Sequence, residues 1–180
     1  MQWLNTRNNY GFVLRFLHAL IFILIVLQLI IGIFMDDIPK SYQGYVYTFH
    51  KSLGVVIFFV AIIFVIWRLF NVKPRWPENM WTLERVAAHT VHFLIYCLII
   101  LMPLSGWIMS TAAGKPPNFF WLGELPLPGI PVNEAISDWG AKLHYIFAWI
   151  LGILVLIHIL AAFWHYFVRR DNVMQRIWHS

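Results

Sequence analysis

The stretch KLHYIFAWILGILVLIHILAAFWHYFV, from Lys142 to Val168, decides the fold of this chain. It is long enough and apolar enough to cross a lipid bilayer as one helix. It also carries His144, His158 and His165, although ionisable side chains are costly inside a membrane. The fold must therefore give these histidines partners.

The spacing of His144 and His158 indicates what those partners are. The two residues are fourteen positions apart, which places them about 21 Å apart along a helix and on nearly the same face. One such helix can offer an axial ligand to each of two haems, one near each membrane surface. The alternative is that each histidine only hydrogen-bonds to a carbonyl or hydroxyl of a neighbouring helix.

The composition is that of an integral membrane protein. Hydrophobic residues make up 61% of the 180 residues and charged residues 12%, whereas soluble domains have about 25% charged residues. The first apolar stretch is too long for the core of a signal peptide, so we expect it to be retained. We predict an all-α fold, an integral membrane four-helix bundle that forms one domain over residues 1–180. The predicted spans are approximately 12–35, 50–70, 86–110 and 142–168.

The segments outside and within these spans add four expectations. The longest connection, residues 111–141, is expected to form a structured outer cap or a loop and not a fifth span. Pro103 and Gly106 are expected kink points of the third span. Cys97 is the only cysteine, which excludes an internal disulfide and a cysteine-based metal site. His179 is expected to be a solvated residue of the tail.

The distribution of basic residues predicts the orientation. Nine lysines and arginines fall on the side that carries both termini, and four fall on the other side. By the positive-inside rule both termini are cytoplasmic. The net charge of +5 therefore reports membrane topology and not binding of nucleic acid. The nine residues are Arg7, Arg15, Arg68, Lys73, Arg75, Arg85, Arg169, Arg170 and Arg176.

With this orientation, four histidines form two pairs at matched depth. His18 and His158 lie in the inner leaflet, and His50 and His144 lie at the outer ends of their spans. The iron of a bis-imidazole haem needs ligands from opposite sides of the ring, so the pairs predict two haems stacked across the membrane. His92 is nearly as deep as His18 and remains open as an inner ligand in place of His158.

Other polar residues are predicted to surround the cofactors. His89, His92 and His165 lie towards the cytoplasmic surface. There they either contact headgroups and haem propionates or form a pocket for a quinone headgroup. The lysines beside the outer pair either neutralise propionates or attract an anionic substrate. The candidate propionate partners are Arg15, Lys51 and Lys142.

Several motifs occur in a specific order along the chain. They are RFLHAL around His18, FHKSLG around His50, RLF after Trp67, AAHTVH at His89 and His92, LSGWIMSTAAGKP beginning at Leu104, LH and IHILAAFWHYF in the fourth span, and RRDNVMQRI after it. With these motifs the chain resembles the bacterial cytochrome b561 family of small four-helix di-haem membrane proteins over essentially its whole length.

The resemblance implies a function as well as a fold. It implies two b-type haems, with His18 and His158 as the inner ligands and His50 and His144 as the outer ligands. It also implies electron exchange with ubiquinone in the bacterial cytoplasmic (inner) membrane, and some family members oxidise superoxide at the outer face. We therefore predict a multi-pass protein that transfers electrons between an outer-face donor and the quinone pool. Superoxide is one candidate for that donor, and membrane lipid is a further partner.

Two other functions remain open from the sequence. One is a haem-bearing membrane anchor subunit for a partner dehydrogenase or hydrogenase. The other is a haem-free transporter whose histidines relay protons or bind a metal ion. A visible spectrum of the purified protein separates the transporter from the haem proteins.

Overall fold

The computed structural model describes residues 2–77 and 79–178, and in these ranges it contains long helices and no β-strand. Four of the helices are long and apolar enough to cross a membrane, which confirms the predicted all-α membrane bundle. His179, expected to be solvated, lies outside the described residues. The elements are α1 (Phe12–Phe34), α2 (Lys40–Phe70), α3 (Thr82–Ala112), a 3₁₀ turn (Phe119–Trp121), α4 (Glu134–Trp164), a π-helical turn (His165–Arg169) and α5 (Gln175–Trp178).

Three of the long helices begin earlier than the apolar stretches do. Helix α2 begins at Lys40, α3 at Thr82 and α4 at Glu134, whereas the predicted spans begin at about 50, 86 and 142. The added turns are more polar, so hydropathy does not reveal them. Capping stabilises two of these starts. The side chain of Asn133 accepts from the N–H of Ile136 at 3.0 Å at the start of α4, and Glu84 accepts from the N–H of Trp81 at 2.9 Å at the start of α3.

The helices pack in sequence order. Helix α1 packs on α2, α2 on α3, and α3 on α4. Among the described residues, α4 has no extensive packed interface with α1 or α2. Apolar side chains fill the middle of the bundle, where Ala61 and Leu151 are fully buried and Ile57 nearly so. On the outer side of this apolar layer lies a cavity lined by residues that include Gln28, His50 and His144.

The outer end of the bundle is covered by residues 113–133, which fold as a cap and do not form a span, as the sequence predicts. The cap is attached to α2 through Ser52, which is completely buried. Its hydroxyl accepts a hydrogen bond from the N–H of Phe120 at 2.9 Å and donates to the carbonyl of Thr48 at 2.7 Å. Phe120 and Trp121 have positive φ angles of 46° and 63°, which non-glycine residues rarely adopt.

The inner end of the bundle is covered by three segments that contact one another. The N-terminal segment meets the α2–α3 linker where the N–H of Arg75 donates to the carbonyl of Arg7 at 2.9 Å. The C-terminal segment returns to the same linker, because Arg176 donates to the carbonyl of Arg75 and Arg169 to that of Asn79. Both termini thus lie at one end of the bundle, called the inner end below. That this end faces the cytoplasm is the prediction from the charge count.

We expect Ser52→Ala to loosen the outer cap. The variant leaves the N–H of Phe120 without its partner, and an unsatisfied buried donor costs about 1–3 kcal/mol. The thermal unfolding midpoint of the purified protein in detergent should fall. Ser41→Ala, at an exposed position near the start of the same helix, is the control and should leave the midpoint unchanged. Equal midpoints for both variants would show that Ser52 does not hold the cap.

Candidate functional site

The structure brings the four histidines together in the two predicted pairs. At the inner end, His18 of α1 faces His158 of α4 with 6.1 Å between ring centroids and 60° between ring planes. At the outer end, His50 of α2 faces His144 of α4 with 6.2 Å between centroids and 84° between planes. Each pair joins α4 to one of the first two helices.

The spacing within each pair fits a metal ion between two imidazoles. A metal lies about 2.0 Å from a ligating imidazole nitrogen, so the centroids of two opposed rings are about 6.3 Å apart. His18 and His158 match this distance, and so do His50 and His144. His92 lies 5.1 Å from His158 in a T-shaped contact, which is too short for an ion between those two rings. This spacing favours His158 as the partner of His18, with His92 beside the pair.

Helix α3 fixes the imidazole of His144. Nδ1 of His144 lies 2.9 Å from the carbonyl oxygen of Met102. Because a carbonyl only accepts, Nδ1 carries the hydrogen and Nε2 keeps its lone pair for a metal. Ser105 also donates to this carbonyl at 2.7 Å. The sequence cannot reveal this acceptor, since it is a backbone atom.

Glycine allows the ring of His144 to lie against α3. A Cβ atom at Gly106 would be 2.8 Å from both Cε1 and Nδ1 of His144, so any larger residue would push the ring away. On the other side of the pair, a Cβ at Gly32 would be 3.4 Å from Cε1 of His50. Helix α3 continues through both Pro103 and Gly106, the two expected kink points.

Two arginines at the inner end offer buried donors. Nε of Arg15 and Nη1 of Arg68 are buried without a hydrogen-bond partner. Arg68 also lies over the ring of Tyr10, 5.8 Å from its centroid. Buried guanidinium groups need anionic or carbonyl acceptors, so these donors suit the propionates of an inner haem. The sequence predicts this role for Arg15, whereas Arg68 enters the prediction only through the charge count that sets the topology. The sequence feature that points to Arg68 is its position in the last turn of the second span, where a charged side chain lies close to the membrane interior.

The outer lysines make other contacts in this structure. Nζ of Lys51 donates to the carbonyl of Lys115 in the outer cap at 2.9 Å. Nζ of Lys142 lies over the ring of Trp139, 5.2 Å from its centroid. Lys51 therefore helps to attach the cap, and the propionate role of both lysines stays a prediction.

The three remaining histidines of the inner half lie in different surroundings. His92 stacks on Tyr96 with 6.2 Å between centroids, beside His158. His89 is exposed and lies edge-on to Trp76. His165 is buried in the π-helical turn, and its Nδ1 lies 2.6 Å from Oδ2 of Asp171.

Asp171 is a residue that the sequence analysis missed. It follows the π-helical turn, in which Arg170 adopts a left-handed conformation with φ of 49°. This geometry returns the chain so that the carboxylate meets a histidine six positions earlier. A π-turn is not visible in a hydropathy pattern, and such turns often mark functional sites.

Similarity to known proteins identifies the family of this chain. A family profile described as "Prokaryotic cytochrome b561" matches residues 9–180. The chain belongs to the prokaryotic cytochrome b561 family. It is 28% identical over 180 residues to cytochrome b561 homolog 2 of Escherichia coli K12, covering 98% of this chain and 95% of that protein. It is 24% identical over 139 residues to a Yersinia pestis protein named "Probable superoxide oxidase CybB", covering 77% and 78% respectively.

Family membership confirms the resemblance predicted from the motifs. Members of this family carry b-type haem, so the chain is a haem-binding electron-transport protein. The four spans and the family together place it in the bacterial inner membrane as a multi-pass protein in contact with lipid. The paired imidazoles, the fixed tautomer of His144 and the buried donors of Arg15 and Arg68 fit such a group.

We expect Gly106→Ala to displace the ring of His144. The added methyl group would lie at 2.8 Å from two ring atoms, which is far inside van der Waals contact and breaks the hydrogen bond to Met102. The haem content of the purified protein, measured by pyridine haemochrome, should fall. Gly44→Ala introduces the same methyl group where no atom lies within 4 Å, and it should keep the wild-type content. Full haem content in Gly106→Ala would contradict the idea that haem binding needs the His144 ring to lie against Gly106.

Proposed function

We propose that this protein is a di-haem b-type cytochrome that transfers electrons between a donor at the outer face and the quinone pool. One observation carries the proposal. Helix α4 presents two imidazoles, each opposed by a second imidazole at 6.1 or 6.2 Å, and the pairs lie at opposite ends of the bundle. Two sites on one rigid helix are suited to moving electrons from one membrane surface to the other.

The residues of the chain hold the two sites and keep water away from the space between them. A bis-imidazole b-type haem, when bound, supplies a one-electron iron couple. His144 is orientated by Met102, as described above. Ala61, Leu151 and Ile57 separate the sites with a layer that is almost wholly excluded from solvent. A dry apolar layer gives protons no path across the membrane.

The experiment that tests the proposal is haem stoichiometry combined with single histidine variants. The wild-type protein should contain two haems per chain. His50→Ala and His144→Ala should each lose the outer haem and keep the inner one, and His18→Ala and His158→Ala should do the reverse. The reason is that each iron loses one axial ligand. A reduced-minus-oxidised spectrum and pyridine haemochrome measure the content.

His92→Ala is the matched control for the inner pair, because His92 lies beside His158 but at the wrong spacing for a shared ion. This variant should retain both haems. One haem per wild-type chain would overturn the di-haem proposal. Loss of the inner haem in His92→Ala with retention in His158→Ala would exchange the roles of these two residues.

A quinone site at the inner end completes the proposal. His165 continues the series of His144 and His158, since it follows His158 by seven residues and so lies on the same side of the helix, about 10 Å further along. Asp171 accepts from Nδ1–H of His165. When the ring is protonated on both nitrogens, Nε2–H can donate to a quinone carbonyl and pass it a proton. On α3, His92 lies beside His158, and His89 lies three residues nearer the inner end.

Positive charge near this site would favour a reduced, anionic quinone. Arg169 is 3.4 Å from the carboxylate of Glu84 and lies over the ring of Trp81, 5.3 Å from its centroid. Arg85 donates to the carbonyl of Pro77 at 3.4 Å, and its Nε is buried without a partner. Of these two arginines, Arg85 is therefore the one with a buried N–H that is free to bind a ligand.

We expect the double variant His89→Gln, His165→Gln to slow reoxidation of the haems by a ubiquinone analogue. Both haem spectra should remain intact, because neither residue belongs to a ligand pair. Stopped-flow spectroscopy of the dithionite-reduced protein measures the rate. The single variants separate the two contributions, and the buried His165 should account for most of the change. Unchanged reoxidation in the double variant, with both haems present, would place the quinone elsewhere.

Superoxide is the more specific candidate for the outer donor. The relative from Yersinia pestis is named as a probable superoxide oxidase, and positive charge at the outer end would attract this anion. Lys51 and Lys115 are joined by a hydrogen bond close to His50. The outer side opposes this attraction with five carboxylates against four lysines. The broader proposal of an outer-face donor therefore does not depend on superoxide.

A further inference from the structure

Gln28 is a polar residue that the proposed function leaves without a role. It lies in the outer part of α1, six residues before the helix ends at Phe34, and is only 4% exposed. Its Nε2 donates to the carbonyl oxygen of His50 at 2.6 Å. A buried amide in a membrane helix is costly unless its donors and acceptor are all used. The contact with His50 uses one N–H of the Gln28 amide and leaves its oxygen, Oε1, without a hydrogen bond.

The outer cavity contains two buried polar atoms that lack partners. Gln28, His50 and His144 all line this cavity. Among the described residues that line it, the buried side-chain atoms without a hydrogen bond are Oε1 of Gln28, an acceptor, and Nδ1 of His50. An unused acceptor and an unused ring nitrogen therefore belong to two residues that already touch each other.

Binding of iron decides what Nδ1 of His50 must do. A histidine that ligates through Nε2 carries its hydrogen on Nδ1, and that N–H is almost always donated to a carboxylate, a carbonyl or water. His144 has such an acceptor in the carbonyl of Met102. His50 has none in this structure.

We infer that Oε1 of Gln28 accepts the hydrogen bond from Nδ1–H of His50 when His50 binds the outer haem. Gln28 is then the positioning residue of the outer site. One amide holds α2 at the backbone of His50 through Nε2 and fixes the tautomer of its imidazole through Oε1. This inference rests on the proposed function, because it requires an outer haem on His50 and His144.

The strength of this hydrogen bond tunes the ligand. An acceptor on Nδ1–H makes the imidazole more basic, which stabilises oxidised iron and lowers the reduction potential. A neutral amide is a moderate acceptor, a carboxylate is a stronger one, and a thioether is a very weak one. Substitutions at position 28 should therefore move the potential of the outer haem in opposite directions.

The experiment compares Gln28→Met and Gln28→Glu in the full-length haem-loaded protein. Potentiometric titration followed by visible and electron paramagnetic resonance spectra gives the potential of each haem. The outer haem is identified beforehand by its loss in His144→Ala. We expect Gln28→Met to raise the outer potential and to weaken retention of the outer haem by roughly 10- to 100-fold. Gln28→Glu should retain the outer haem and lower its potential. The inner haem should not change in either variant.

Gln43→Met is the matched control, since Gln43 contacts the carbonyl of Asp36 near the outer end of α2 and not the cavity. It should change neither potential. Shifts of the outer potential in the same direction in both Gln28 variants, or no shift in either, would overturn the inference. If Gln28→Met does not fold, Gln28→Leu, which likewise offers no acceptor and no charge, replaces it with the same expected rise in potential.

The failure of this inference is distinguishable from that of the proposed function. An outer haem that is lost in His144→Ala but insensitive to position 28 removes only the role of Gln28. A wild-type protein with no haem assigned to His50 and His144 removes the outer site itself.

Discussion

Two pairs of imidazoles face each other inside this bundle, and helix α4 is the element that contributes one ring to each pair. His144, Leu151 and His158 follow one another at intervals of seven residues and therefore lie along one face of α4. Leu151, between the two histidines, is completely buried. Because α4 packs extensively on α3 alone among the described long helices, this face remains open towards α1 and α2, where the opposing rings lie.

The same arrangement explains where the protein tolerates unsatisfied polar groups. A lipid bilayer offers no hydrogen bonds, so a membrane protein normally pairs every polar atom internally. Buried atoms without partners nevertheless occur beside the two pairs, on His50 and Gln28 at the outer end and on Arg15 and Arg68 at the inner end. At the inner end a bound anionic group would accept from the two arginines. At the outer end, a metal on Nε2 of His50 would place the hydrogen on Nδ1, where Oε1 of Gln28 can accept it. The cost of these atoms in the protein alone is a reason for the haem sites to be formed with their ligands.

The sequence predicts much of this architecture, because the relevant signals are local. Apolar length gives the four helices, and a spacing of fourteen residues together with depth gives both histidine pairs. What it misses depends on contacts between distant segments. The acceptor of His144 is a carbonyl of another helix, the partner of His165 is reached through a π-turn, and Arg68 has a role only through its neighbours. Helix ends such as Lys40 are missed because they are polar.

Under the proposed function, the two ends of the bundle serve different exchanges. At the outer end, the cap is attached at Lys51 and Ser52, directly after His50 in sequence, so a donor at this face meets the cap before it meets the histidines. A small donor, or one that transfers its electron through the cap, suits that arrangement. At the inner end, His165 and Asp171 offer a hydrogen-bonding pair next to the inner histidines. A quinone needs protons together with electrons, and only this end supplies a buried histidine beside a carboxylate among the described residues. The asymmetry favours electron entry at the outer pair and proton-coupled exit at the inner one.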